Sequence, residues 1–469
     1  MKKNKYHILL LILLISFTLF MTTQFILEND YFWHIMAGKY IFHNGVLRHD
    51  VFSWYLHGKY WMSHEWLFEL FLYSLKFLFG KIHVLIYCFI CLSILLFSLF
   101  YPNRDKLLKN LPFTLIYIVF FFAIFLGFIQ ARPHLLSFSL FAFSVYSLFD
   151  LYNNEESKKL YYLPVITIFW ANYHGGSSNL VYLLCFIFII VGLFSFNYKK
   201  IEATRLSKKQ IKKYFIIMIL CMLAVNVNVH GFKMFIYPYQ NILDNVMVNN
   251  IAEWRSTSLS KWYDYIYYLF IIFVLATMLF SNKKINFLHL IIFMFTVYLG
   301  IKSIRFWPYA YISSMFFIYD YVGIRKLDKD SDVCIIILIV ILLMFFALNI
   351  NNRVNINFEL NLNDELIEII KEEKPQRLYN LYDYGGELIY NDIEVFIDGR
   401  ADLYSKYNYK DCLDISRLSG DYEKMISKYN FDYFLVSKDY PINTYLKYND
   451  RYQLIYKSKK VYFYKKKNS

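Results

Sequence analysis

The feature that most constrains this chain is a series of long apolar runs separated by short polar segments. Each run is about as long as the 20 or so residues that a helix needs to cross a bilayer. Of the 469 residues, 58% are hydrophobic and only 18% are charged, which is unlike a water-soluble domain of this length. The sequence therefore predicts an α-helical polytopic membrane protein. We expect about eleven spans, near residues 7–27, 82–101, 112–130, 134–150, 160–173, 179–197, 214–229, 263–281, 286–302, 307–322 and 333–350.

The net charge of +14 comes mainly from basic residues between the apolar runs and in the C-terminal tail. Such residues act as topology signals, so we expect no nucleic-acid partner. The first run lacks a small-residue cleavage site and is predicted to be an uncleaved anchor. The positive-inside rule then puts the N-terminus in the cytoplasm and the C-terminus outside. The segments predicted to be cytoplasmic are KKNK, RDKLLKN, ESKK, YKK with RLSKKQIKK, NKK and IRKLDK (324–329).

One further apolar segment, WLFELFLYSLKFLFG at 66–80, decides the number of crossings. Glu65, Glu69, Tyr73 and Lys76 are spaced so that they form one polar stripe on a helix. A stripe of this kind favours a helix lying in the membrane interface over one that crosses lipid. We therefore predict that this helix does not span the membrane.

This topology places most of the polar clusters of the membrane part on the outer face. Ionisable residues at membrane ends indicate a functional site. The clusters are ENDYFWH (28–34), SHEWLFE (63–69), ARPH (131–134), YHGG (173–176), EWR (253–255) and SIRFW (303–307).

In the first of these clusters, Asp30 and His34 lie one helical turn apart if residues 30–43 form a helix, with Gly38 continuing the same face. A carboxylate in that position can serve as a general base, oriented by the imidazole. The alternative is that Asp30 caps the helix and His34 is an interfacial side chain.

A second set consists of outward-facing cations and imidazoles spread over four loops. Arginine suits phosphate because its planar guanidinium donates two parallel hydrogen bonds, so the set could hold a lipid phosphate. The alternative is that these side chains snorkel at helix ends. The members are Arg132, His134, His174, Arg255 and Arg305.

His64 and Glu65 are residue types that bind zinc or manganese, but the chain has no HExxH pattern and neighbouring residues point to different faces. We therefore predict no metal and no other cofactor, with a divalent ion as the alternative. His64, Glu65, Glu253 and Trp254 are predicted to support the outer loops or the acceptor.

After Ile350 the composition becomes polar and rich in tyrosine, which predicts a small extracytoplasmic α/β domain over 351–469. NDELIEIIKEEK is typical of a helix, and RLYNL, EVFID, FDYFLV, YQLIY and VYFY of strands. Gly385 and Gly386 predict a tight turn, and Asp398 and Arg400 predict a charged pair at a strand end, with acceptor binding as the alternative. Of the six cysteines only Cys412 lies outside the apolar runs, so no disulfide framework is expected.

These residues resemble the GT-C glycosyltransferases, integral-membrane enzymes that take sugars from polyprenyl-phosphate carriers. The resemblance covers the first 100 residues and the general plan of the chain. It rests on Asp30 directly after the first span, on the segments DYFWH, YIFHNG (40–45), DVFSW and HEWL, on the helix ending FGK (79–81), and on DGR near the C-terminus. The same segments are similar to those of a poorly characterised bacterial subfamily.

The resemblance implies a membrane domain over 1–350, with its first outer loop at 28–81, followed by the C-terminal domain. It also implies an inverting transfer, in which an acid of the first outer loop deprotonates the acceptor and basic groups stabilise the leaving lipid phosphate. Many members have an Asp-Glu pair or DxD, whereas Tyr31 follows Asp30 here, which leaves Glu28 as a rival base and the metal dependence open.

The predicted function is transfer of a sugar from a polyprenyl-phosphate carrier to a lipid, glycan or protein acceptor at the outer face of a bacterial or archaeal cell membrane. The alternatives are a polysaccharide polymerase or ligase and a non-catalytic protein of cell-envelope assembly. A transporter is disfavoured because the spans are nearly free of charge at their centres.

Overall fold

The computed structural model describes residues 2–323, 329–354 and 361–467 and is mainly helical. The basic segment predicted at 324–329, apart from its last residue, and the start of the predicted C-terminal domain at 355–360 lie outside the described residues. The chain forms two compact units. Unit 1 comprises residues 1–26, 78–239 and 251–356, and unit 2 comprises 27–77, 240–250 and 357–469.

The first part of the chain contains twelve of the described helices in sequence order. They are α1 (Lys2–Thr22), α2 (Asp30–Asn44), α3 (Trp66–Phe79), α4 (His83–Phe100), α5 (Arg104–Lys109), α6 (Leu111–Phe125), α7 (His134–Asn153), α8 (Leu163–Tyr173), α9 (Leu180–Gly192), α10 (Lys208–Ala224), α11 (Phe232–Ile242) and α12 (Asn245–Asn250).

The remaining described helices begin after residue 264. They are α13 (Tyr265–Phe280), α14 (Phe287–Lys302), α15 (Trp307–Met315), α16 (Lys329–Val354), α17 (Asp364–Glu373), α18 (Gly385–Tyr390), α19 (Ala401–Tyr404), α20 (Tyr409–Arg417), α21 (Tyr422–Tyr429) and α22 (Pro441–Tyr448).

Unit 1 is a helical membrane domain. Each predicted span coincides with a helix, and six helical stretches of the described chain are long and apolar enough to cross a membrane. Two further apolar helices, Phe287–Lys302 and Ile335–Ile350, are shorter. The protein is therefore a multi-pass membrane protein, while the number of spans stays a prediction. The six stretches are Lys5–Thr22, Trp66–Phe100, Leu111–Phe128, His134–Asn153, Gly175–Gly192 and Trp262–Phe280.

Several helices of unit 1 begin where the sequence supplies a capping residue. Asn110 accepts a hydrogen bond from the backbone of Phe113 at the start of α6, and Ser207 and Gln210 form a capping box at the start of α10. Unit 1 also holds a small sheet of β1 (Phe196–Tyr198), β2 (Ile201–Ala203) and β3 (Ile285–Asn286).

Unit 2 combines the first loop with the C-terminal segment, an association between distant parts of the chain that no local pattern indicated. Its four-stranded sheet has the order β4-β5-β7-β6, in which β4 and β5 are parallel and the other pairs are antiparallel. The strands are β4 (Leu378–Asn380), β5 (Tyr433–Ser437), β6 (Tyr452–Lys457) and β7 (Val461–Lys466). They confirm four of the five predicted strands, and α17 confirms the predicted helix.

The predicted strand EVFID is wrong: only Val395 makes an isolated bridge, to Ser53. The backbone next to Val395 is bound by amide side chains instead. Asn380 accepts from Phe396 N at 2.8 Å and donates to Ile397 O at 2.7 Å, and Asn408 donates to Phe396 O at 2.9 Å. These side chains satisfy the groups that a strand neighbour would otherwise bind.

The predicted tight turn at Gly385 and Gly386 is also wrong, because both residues lie in α18 with buried surroundings. A Cβ on Gly385 would lie 2.2 Å from Ile397 O, and one on Gly386 would lie 2.5 Å from Asn29 O. The two glycines are needed for the close approach of α18 to neighbouring backbone rather than for a turn.

Helix α3 carries its charged residues inward. Glu65 and Glu69 of the predicted polar stripe are buried inside unit 2, and the Lys76 ammonium donates to the Tyr390 hydroxyl at 2.7 Å. By contrast, the large apolar side chain of Phe77 is exposed. The stripe therefore serves packing within unit 2, and the interfacial position of α3 remains a prediction.

Candidate active site

Asp30 is the first residue of α2, preceded by Asn29 at the N-cap position. Its carboxylate is half-buried and accepts a hydrogen bond from the Trp33 indole at 3.2 Å. The expected helix after the first span is thus confirmed. Asp30 lies inside the first turn, where a negative charge interacts favourably with the helix dipole.

Gly399 holds Asp30 in place from the C-terminal segment of unit 2. A Cβ at position 399 would lie 2.0 Å from Asp30 Oδ1 and 2.6 Å from Trp33 Nε1. Only glycine leaves room for both groups, so the central residue of the DGR segment shapes the surroundings of Asp30.

His34 does not turn towards Asp30. The imidazole is fully buried, with Nε2 3.7 Å from Glu65 Oε2 and Nδ1 3.6 Å from Glu69 Oε1. Its ring packs on Trp33, with centroids 3.7 Å apart. His34 is therefore enclosed by Trp33, Glu65 and Glu69, and its predicted catalytic role stays a prediction.

Gly38 explains how the two glutamates reach His34. A Cβ on Gly38 would lie 2.1 Å from the carbonyl oxygen of Glu69 and 2.8 Å from Tyr73 Cβ. The missing side chain lets the backbones of α2 and α3 approach closely, one turn after His34. Ser63 donates a hydrogen bond of 2.9 Å to Glu69 Oε2, whereas Oε1 faces His34.

His64 extends the same chain of charges. Its Nε2 lies 3.1 Å from Glu65 Oε1 and its Nδ1 lies 3.8 Å from Asp402 Oδ2. Burial lowers the pKa of His64, but the neighbouring carboxylates, Glu65 first, outweigh burial and raise the pKa above its ordinary value. Carboxylates and imidazoles therefore alternate from Glu69 to Asp402.

This alternation does not suit a metal cage. Glu65 and Glu69 face opposite nitrogens of His34, so the donors do not converge on one point. Among the described residues, no three His, Cys, Asp or Glu side chains are placed to share a metal ion.

Arg400 and Asp398 form the predicted charged pair, at 2.6 Å between Nη2 and Oδ2. The buried guanidinium also meets Asp50 Oδ1 at 2.5 Å and packs over Trp61, 4.8 Å from the ring centroid. Tyr404 donates to Asp398 at 2.6 Å. The pair is sealed in the interior, where it ties the first loop to the C-terminal segment.

Asp383 lies close enough to Asp30 for their charges to interact. Desolvation and repulsion from Asp30 raise the pKa of Asp383. It lines a cavity of about 320 Å³ together with Asn29, Asn361, Tyr384, Lys438 and Lys460, among others. This polar recess lies beside the half-buried Asp30 within unit 2.

Unit 1 holds a separate cationic cluster around Glu253. Arg132 forms an ion pair with Glu253, and Arg305 lies over the Trp254 ring at 5.5 Å and 3.5 Å from His174 Nε2. Burial raises the pKa of Glu253, but Arg132 and Arg305 outweigh burial and hold it below the ordinary value. Two arginines facing one carboxylate leave a surplus of positive charge.

The other predicted phosphate ligands divide between this cluster and another site. His174 Nδ1 shares a hydrogen bond of 2.7 Å with Ser137, and the buried His134 ring pairs with Phe128 O at 2.9 Å. Arg255 instead binds the buried Asp264 with both of its terminal nitrogens, at 2.6 Å.

Glu28, the rival candidate for the base, is half-buried just before α2.

Five participants were missed as site residues by sequence reasoning: Trp33, Asp50, Glu69, Asp383 and Asp402. Glu69 was visible as part of the α3 stripe, and Asp383 lies in the YDYGG segment. Asp50 begins the DVFSW segment and Asp402 follows DGR, but nothing in the local sequence indicates their ion-pair partners Arg400 and His64, which lie hundreds of residues away.

The fold of this chain is similar to that of solved archaeal oligosaccharyltransferases, which confirms the predicted resemblance at the level of fold. It is similar to the archaeal oligosaccharyltransferase AglB from Archaeoglobus fulgidus in complex with an inhibitory peptide and a dolichol-phosphate. The TM-score is 0.54 at 12% identity, covering 93% of this chain and 70% of that one. The crystal structure of the apo Archaeoglobus fulgidus oligosaccharyltransferase gives a TM-score of 0.51 at 11% identity, covering 92% and 69%.

No protein-family model and no curated protein matches the sequence. The comparison therefore concerns the shared fold, at an identity of 12% or below.

Proposed function

We propose that this protein is a membrane glycosyltransferase that transfers a sugar or glycan from a polyprenyl-phosphate carrier to a hydroxyl-bearing lipid, glycan or protein at the outer face of the cell membrane. The observation that carries the proposal is the half-buried Asp30, which Trp33 and Gly399 hold beside a polar cavity in a chain with the oligosaccharyltransferase fold.

Asp30 is the general base of the proposed reaction. The acceptor oxygen attacks the anomeric carbon, the bond from that carbon to the phosphate oxygen breaks, and the hydroxyl proton passes to Asp30. Attack from the face opposite the leaving group inverts the anomeric centre. A positioned general base typically contributes about 10²–10⁴-fold to the rate.

The cluster of Arg132, Arg305 and Glu253 supports the proposed binding of the carrier's phosphate group. The lipid phosphate gains negative charge as it leaves, and guanidinium groups stabilise that charge through paired hydrogen bonds. Arg132 and Arg305 face Glu253, so binding of the donor phosphate would exchange one anionic partner for another. The proposed transfer contains no metal step.

The test compares cells that lack the protein with cells that express the wild type, Asp30→Asn or Glu28→Gln. Cell-surface glycans and lipid carriers are measured by mass spectrometry. Asp30→Asn preserves shape but removes the base, so the glycan product should fall at least about 100-fold and the loaded carrier should accumulate. Asp450→Asn is the matched control, since Asp450 is exposed.

Normal product from Asp30→Asn together with loss from Glu28→Gln would show that Glu28 is the base. Normal product from both variants would reject a catalytic role for this loop. Absence of any change in glycans or carriers upon deletion of the protein would reject the proposed function itself.

A further inference from the structure

Unit 2 contains a second cavity, of about 390 Å³, that the proposed transfer does not use. Lys39 and His43 line it from α2, one helical turn apart, and Asp392 and Glu394 line it from the segment after α18. All four side chains are exposed. The cavity thus has positive and negative groups on different segments of its lining.

These charges do not neutralise one another. Within the described part of the chain, none of the four side chains forms an ion pair or a hydrogen bond, so no opposite charges of the lining lie within 4.0 Å. A single small ion would satisfy one side and be repelled by the other. The arrangement fits a ligand that carries both charges, separated by a short linker.

Part of the cavity lining is apolar. The apolar lining residues are Met36 from α2, Val51 and Phe52 from the first loop, and Ile389 and Ile393 from the C-terminal segment. The lining therefore favours a ligand with an apolar part next to its charged groups, as a phospholipid has and a free sugar does not.

An exposed aromatic patch lies beside the cavity. Phe42 and Phe77 are 49% and 70% exposed, their rings stack at 6.1 Å, and Tyr73 packs on Phe42 at 5.7 Å. His43 of the cavity adjoins the same patch, with its ring 5.2 Å from Phe42. Exposed aromatic side chains next to basic residues are typical of a surface that contacts the lipid headgroup layer.

We propose that this cavity binds the headgroup of a zwitterionic aminophospholipid. Lys39 and His43 bind the phosphate, Asp392 and Glu394 bind the ammonium group, and the glycerol end contacts the apolar lining residues. An anionic lipid would meet the same lysine but would also be repelled by the two carboxylates. The binding site is independent of the proposed glycosyl transfer.

The test uses full-length protein in detergent and native mass spectrometry with equal amounts of phosphatidylethanolamine and phosphatidylglycerol. We expect phosphatidylethanolamine to bind at least about five-fold more tightly, a difference that corresponds to roughly one charge contact. Lys39→Met should weaken this binding about ten-fold. Lys371→Met, which removes an exposed lysine of α17, should leave it unchanged.

The two carboxylates of the lining, Asp392 and Glu394, provide the sharper test of the expected lipid preference. Asp392→Asn with Glu394→Gln should remove the preference and raise binding of phosphatidylglycerol, whereas the exposed Glu368→Gln should not. Because these changes affect exposed side chains, thermal unfolding of each variant is expected to match the wild type and shows that the comparison concerns folded protein.

Three results would overturn the proposal. The first is equal binding of the two lipids by the wild type, and the second is unchanged phosphatidylethanolamine binding by Lys39→Met. The third is binding of free phosphoethanolamine as tight as that of the lipid, which would assign the cavity to a soluble aminophosphate.

Discussion

Single residues set the surroundings of the candidate base through contacts that tolerate no added atom or lost charge. The buried Arg400 balances Asp50 and Asp398, and burial of such a pair is tolerable only while every partner remains. Gly399, between Asp398 and Arg400, leaves space for Asp30. The interior ion pair and the candidate base are thus linked through adjacent residues of one short segment.

The first prediction at this scale concerns Gly399. Gly399→Ala should reduce glycosyl transfer on the order of a hundred-fold, because a misplacement of about 1 Å costs that much in an aligned site. The methyl group would overlap with Asp30 Oδ1 and Trp33 Nε1. Gly127→Ala, where no atom lies within 4 Å of the added Cβ, is the control and should keep full activity in the same glycan assay. Equal activity of the two variants would show that Asp30 need not be held in this position.

A second residue-scale prediction concerns pH. The carboxylates of Glu65, Asp402 and Glu69 raise the pKa of His64 above its ordinary 6.5 despite burial. A group with a raised folded-state pKa stabilises the fold fully below the unfolded pKa and loses that effect as pH rises through the folded pKa. Stability should therefore decline on the alkaline side of about pH 6.5.

The measurement is the thermal unfolding midpoint of detergent-solubilised protein between about pH 5.5 and 9. His64→Gln should flatten the decline, and His57→Gln, at an exposed histidine, should not. An unchanged pH profile in His64→Gln would show that other groups dominate the pH dependence.

At the scale of elements, the loops between membrane helices use arginine in two ways. The loop before α7 directs Arg132 towards Glu253, which also faces Arg305. The loop before α13 instead closes on itself, because Asp264 takes both ends of the Arg255 guanidinium. Arginines in similar positions at helix ends are therefore expected to differ in their ability to bind a phosphate.

This difference predicts opposite results for two alanine variants. Arg132→Ala should weaken binding of polyprenyl phosphate in micelles by about ten- to a hundred-fold, the effect of about 1.5–3 kcal/mol for a charged hydrogen bond. Arg132→Lys should recover only part of the lost binding, since an ammonium group lacks the planar geometry with which a guanidinium donates two parallel hydrogen bonds. Arg255→Ala should bind normally when folded but lower the unfolding midpoint, because Asp264 is left buried without its partner. Equal binding by Arg132→Ala and the wild type would make Arg132 a structural residue.

At the scale of the whole molecule, the distribution of basic segments predicts the topology. With the N-terminus in the cytoplasm and α3 not crossing, the C-terminus lies outside. Lys460→Cys in a cysteine-free background should then react with a membrane-impermeant thiol reagent on intact cells. The native cysteines that the structure describes are buried. Their replacements in the cysteine-free background should therefore be small residues. Labelling only after permeabilisation would contradict the predicted orientation.

The sequence by itself determined the membrane class, the positions of the helices, α2 beginning at Asp30, and most strands of the C-terminal segment. These features depend on local hydropathy and on capping residues, which act within a few positions of the chain. Tertiary structure alone decided which groups meet. Asp30 and His34 share a helical spacing, yet the close approach of α3 at Gly38 turns His34 to Glu65 and Glu69, and Gly399 arrives at Asp30 from the far end of the chain. Such partners depend on packing between segments that are distant in sequence, and periodicity within one segment carries no information about them.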